Sequence, residues 1–96
     1  MGDRIGIQFT DNIGNESVII HSHWMGRGLL HELQLFVQDM GDGLKKGSCV
    51  EGVCARFLMW YGSKYGISDD LDVQDTEDDC EDNGVFVLNI DTGLIG

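Results

Sequence analysis

A chain of 96 residues, 42% hydrophobic and 8% aromatic, has a globular composition and the size of one domain with one core. Its net charge of −11, from 17 acids against 6 bases, argues against direct nucleic-acid binding, because neutralising phosphates takes clustered Lys and Arg. No apolar run reaches the roughly 18 residues that span a bilayer, and MGDRIGIQFT lacks a basic region followed by an apolar one, so neither a membrane segment nor a secretory leader is expected and a cytoplasmic setting is.

In chain order, RIGIQFT alternates Ile5, Ile7 and Phe9 with polar or small residues, which predicts a half-buried strand over 4–10. DNIGNE is turn chemistry; with 14 glycines and no proline, turns fall to Gly, Asn and Asp. SVIIHSHW is rich in β-branched residues and predicts a second strand over 17–23, close enough to pair with the first as an antiparallel hairpin. Leu29, Leu30, Leu33, Phe36, Val37 and Met40 then recur at three- and four-residue steps, an amphipathic helix over 28–40 with Gly41 at its C-cap.

After the loop GLKKG, Ser48 and Glu51 have the spacing of a capping box. Val50, Val53, Cys54, Phe57, Leu58 and Tyr61 form a second helical stripe over 49–61, which GSKYG is expected to stop. YGISDDLDVQ has room for a short strand, and the continuous apolar run VFVLNI, 85–90, suits a sheet interior. The order β-β-α-α-β, with one or two short extra strands, predicts a single α+β domain over 1–96. Its sheet is three- to four-stranded and mainly antiparallel, with two helices packed on one face. Leu33, Phe36, Val37, Val53, Phe57, Val87 and Leu88 are the expected core.

The motifs MGDRIGIQF, SHWMG, CARFLMW, KYGIS and VFVLNID, taken together and in this order, resemble a family of small proteins found in bacteria, archaea and phages. Its members open with MGDR and a strand, and carry a Thr-His-Trp-Gly-Gly type motif at a strand end. His23 and Trp24 stand at the matching positions, while Ser22 replaces the Thr and Met25 the first Gly. The family has no established activity, so the resemblance implies an order of elements and no reaction. The acidic stretch between GIS and VFVLNI is fuller here than in the family pattern, and the family does not speak for it.

HSHWMGRG, residues 21–28, concentrates chemistry. Residues two apart on a strand share a face, so His21 and His23 can converge as half of a zinc or copper site, with His31 as a third ligand and Glu32 nearby. No HxxxH or CxxC spacing supports this. The simpler expectation is that Trp24 packs at the strand end, that His23 bonds nearby backbone, that Gly26 and Gly28 turn the chain, and that the two histidines are not joint ligands. A third reading places an anion beside Arg27 at the helix N-terminus.

Three cysteines fit no closed disulfide set and predict reduced thiols. Cys54 lies on the apolar stripe; Cys49, in the first turn of the second helix, is a nucleophile only with a base beside it.

Residues 69–82 hold nine acids and no base, leaving eight acids and six bases elsewhere. Counted from Asp70, carboxylates fall at several positions of a calcium loop, with Glu81 last, although Asp75 stands where the turn requires Gly. The expected calcium ligands are Asp70, Asp72, Asp75, Asp78, Asp79 and Glu81. The chain thus reads as a non-enzymatic acidic accessory or interaction protein whose acidic segment binds divalent cations such as Ca2+, or a basic partner. The alternatives are a small enzyme using His21 and His23 in a metal or acid–base site, and a nucleic-acid-mimicking binder of a basic protein partner.

Overall fold

A computed structural model describes residues 2–45, 49–66, 70–75 and 82–96. The elements run β1 (Ile5–Thr10), β2 (Ile19–Ser22), α1 (Arg27–Met40), α2 (Val50–Tyr65), β3 (Leu71–Gln74) and β4 (Val85–Asn89), with a short 3-10 turn over Gly41–Gly43. The fold is α+β: one four-stranded sheet in the order β3-β2-β1-β4, with both helices packed against β1.

The alternation in β1 sends Ile5, Ile7 and Phe9 into one fully buried core with Leu33, Phe36, Val53 and Phe57 of the helices. Val37 and Val87, also expected there, are only half-buried. The hairpin turn between β1 and β2 is closed by Asp11, whose carboxylate accepts the backbone N–H groups of Ile13 and Asn15 and the Asn15 side-chain amide.

β1 and β2 pair antiparallel, as do β2 and β3, but β1 and β4 are parallel, from Gly6 opposite Val85 to Thr10 opposite Asn89. The sheet is therefore mixed, and the chain crosses from one sheet edge to the other between Gln74 and Val85. β4 is not interior. It lies at the end of the strand order, and residues 94–96 fold back along it, with Val87 and Gly96 exchanging backbone hydrogen bonds of 2.9 Å.

α2 runs four residues past the expected stop. Its last turn is tied to α1: the Tyr65 hydroxyl donates to Glu32 Oε2 at 2.7 Å and Lys64 Nζ to Glu32 Oε1 at 3.2 Å. Those contacts outweigh the weak helix preference of Gly62 and Ser63, and the helix ends at Gly66, whose φ of 80° suits glycine. At its start, Cys49 is extended and makes no side-chain cap bond; Ser48, the expected cap, lies outside the described residues. Cys54 is buried, which pushes its thiol pKa up, and Cys49 is exposed. Among the described residues no helix is long and apolar enough to cross a membrane.

The Lys45 ammonium beside Asp91, with the Asn12 backbone N–H, holds the Asp91 carboxyl below its ordinary value. A depressed folded-state pKa contributes stability above the unfolded carboxylate value, about 3.9, and that contribution is lost as pH falls through the folded one. Asp91→Asn should therefore flatten the acid limb of a melting-temperature profile below about pH 4. A limb as steep as the parent's would show that this pairing contributes nothing.

Candidate metal centre

The centre grows out of strand register. In β2, Ile20 shares the core-facing side with Ile7, its partner across β1, so His21 points to the opposite face. Its partner on β1 is Gly6, which places no side chain beside the imidazole. Its partner on β3 is Asp72, and directly opposed residues share a face. His21 Nδ1 accordingly lies 3.0 Å from Asp72 Oδ1, with the imidazole fully buried and the carboxylate half-exposed.

His23 comes just after β2, where the strand bends into the corner before α1. Its exposed ring meets that of His21 edge to face, with centroids 4.6 Å apart and planes at 85°. Its backbone is held on both sides: the N–H donates to Asp70 Oδ1 at 3.1 Å, and the carbonyl accepts the Asp3 N–H at 2.7 Å. Asp70 also accepts the Ser22 hydroxyl, and Ser22 Oγ accepts the Met25 N–H at 3.0 Å. The strand-to-helix corner is thus built on one carboxylate and one hydroxyl.

The corner does not bury Trp24, contrary to expectation: its side chain is 66% exposed. Met25 takes the inward place, half-buried against the core, and its sulfur accepts the Tyr61 hydroxyl at 3.4 Å. Arg27 lies over the Phe86 ring, 5.8 Å from its centroid.

Among the described residues, one group of three metal-ligating side chains converges: His21, His23 and Asp72, whose ligand atoms all lie within 4.8 Å of one another. Ligands sharing one zinc ion at about 2.0–2.2 Å from it lie roughly 3–4 Å apart, so the three atoms must draw slightly closer to hold one ion. Two imidazoles and one carboxylate suit a borderline ion such as zinc better than calcium, which takes oxygen ligands.

His31, on α1, is not part of the group. Of the expected calcium set, Asp70 serves the corner, Asp72 faces His21 and Asp75 is exposed, so these three do not converge; Asp78, Asp79 and Glu81 lie outside the described residues. Asp72 stands out in the sequence as one acid of a run, but not as the partner of His21. The available signal was LDVQ, where an acid alternates with Leu71 and Val73 and can pair beside IIHS.

Comparison of the chain with family models, with curated proteins and with solved structures finds no match.

Proposed function

We propose that this chain is a small acidic accessory protein that binds one zinc-class divalent ion on His21, His23 and Asp72. The observation that supports the reading is the convergence of two imidazoles and a carboxylate from β2, the bend after it and β3, with one imidazole buried and the other two groups open to solvent. The acidic stretch around Asp72 draws cations toward the site. An acid–base enzyme fits less well. His21, the group held by Asp72, is fully buried, which keeps a substrate from its ring.

The test is a zinc titration followed by calorimetry and imidazole NMR. The expected result is one zinc per chain, saturable shifts of both His21 and His23, and no competition from equimolar calcium. His23→Ala, at an exposed position, should weaken binding by at least about tenfold while leaving the fold intact. Unmoved imidazoles at stoichiometric zinc, or undiminished binding by the variant, would overturn the reading. Selective calcium binding would instead restore the oxygen-ligand set of the acidic segment.

A further inference from the structure

We infer that occupation of this centre controls whether β3 stays on the sheet, which makes the site a sensor of metal level; the inference rests on the metal reading above. The case begins with how weakly β3 is held. It has four residues, lies at one end of the strand order, and buries none of them: Asp72 and Val73 are exposed, and Leu71 and Gln74 are intermediate. β2, beside it, is buried at all four positions. Among the described residues, β3 is attached by its pairing with β2, by Leu71 half-buried at the edge of the core, and by two carboxylates, Asp72 toward His21 and Asp70 toward Ser22 and His23. Elements with few buried apolar contacts open at the low end of a protein's stability range. Nine acids over residues 69–82 add mutual repulsion, which favours opening.

The ligands of the centre divide across that joint. His21 is in β2, His23 follows it, and Asp72 is in β3. The three atoms come together only while β3 is docked, so an ion that needs all three binds the docked form alone. Linkage then suppresses opening by the factor 1 + [L]/Kd, about 100-fold at free zinc 100 times the dissociation constant. Metal level is converted into the release or retention of β3 and the acids it carries, Asp70, Asp72 and Asp75. Release uncovers the edge of a β2 whose residues are otherwise buried.

The experiment is amide hydrogen exchange on the full chain, with and without zinc, beside calorimetry on the same samples. Without metal, the amides of Leu71–Gln74 should exchange much faster than those around Phe57 in α2. With zinc at 100 times the measured Kd, protection of Leu71–Gln74 should rise by up to about 100-fold. In His23→Ala the same zinc should change it little. Zinc that binds by calorimetry yet leaves Leu71–Gln74 exchange unchanged would sink the coupling and leave the metal reading standing. Metal-free β3 amides as slow as those of α2 would also sink it, because no local opening would exist to control. Absence of binding removes the metal reading and the inference with it.

Discussion

Phe57→Ala should lower the unfolding free energy by about 3–5 kcal/mol, the range for truncating a buried aromatic whose site cannot collapse. Phe57 is fully buried where helix meets sheet. Its ring lies 5.3 Å from Phe36, 6.1 Å from Phe9, 5.9 Å from Trp60 and 6.2 Å from Tyr61. Four aromatic neighbours anchored on three elements cannot all move inward, so truncation leaves a cavity as well as losing transfer energy. Met59, two residues on but 68% exposed, is the control: Met59→Ala should stay within about 0.5 kcal/mol of the parent. Denaturant midpoints of the two variants check the contrast, and similar losses in both would mean that α2 does not pack as described.

Gly26→Ala should be the most damaging change at the corner. Gly26 has φ 52° and ψ −140°, a backbone region held almost only by glycine, and forcing another residue there costs of order 1–3 kcal/mol. An added Cβ would also come within 2.0 Å of the Asp3 carboxylate, displacing a side chain that accepts the Asn83 amide at 2.7 Å. Asp3 itself joins the Gly26 N–H to the His23 carbonyl through its own backbone, so the change also disturbs the backbone that carries His23. For a domain this size each kcal/mol lowers the melting temperature by roughly 4–8 °C. Gly28 provides the opposite sign. It is helical, and a Cβ there meets nothing within 4 Å, so Gly28→Ala should stabilise by up to about 1 kcal/mol. A Gly26→Ala protein that melts with the parent would show that the corner is not fixed by this glycine.

The parts of the fold legible in the sequence are those governed by local periodicity. The alternation of Ile5, Ile7 and Phe9 gave β1, and the spacing of Leu29, Leu33 and Phe36 gave α1 almost to the residue. What escaped depends on residues far apart. Nothing in VFVLNI says that it lies parallel to RIGIQFT, and nothing in GSKY says that Glu32, on another helix, will hold that turn. The centre was half legible for the same reason. HSHW shows two imidazoles and LDVQ shows a carboxylate, but only the pairing of His21 with Asp72, 51 positions apart, joins them. Trp24 failed in the other direction: a large aromatic suggests burial, but the bend over His23 and Trp24 hands the inward position to Met25.

The parallel pairing of β1 with β4 also sets a timetable for the growing polypeptide. Gly6 meets Val85, so β1 leaves the ribosome 79 residues before the strand that completes it on that side. At about 5–20 residues per second the wait is roughly 4–16 s. Through that interval the β1–β2 hairpin and the helices can gather over Ile5, Ile7 and Phe9, but one edge of β1 has no β4 to pair with, and hairpins alone are marginal in water. A loop this long is slow to close and adds a few kcal/mol of entropy cost. Synthesis, more than the finished protein, is therefore when this chain is most exposed to edge-to-edge aggregation, and when a chaperone that shields an unpaired strand would have the most to do.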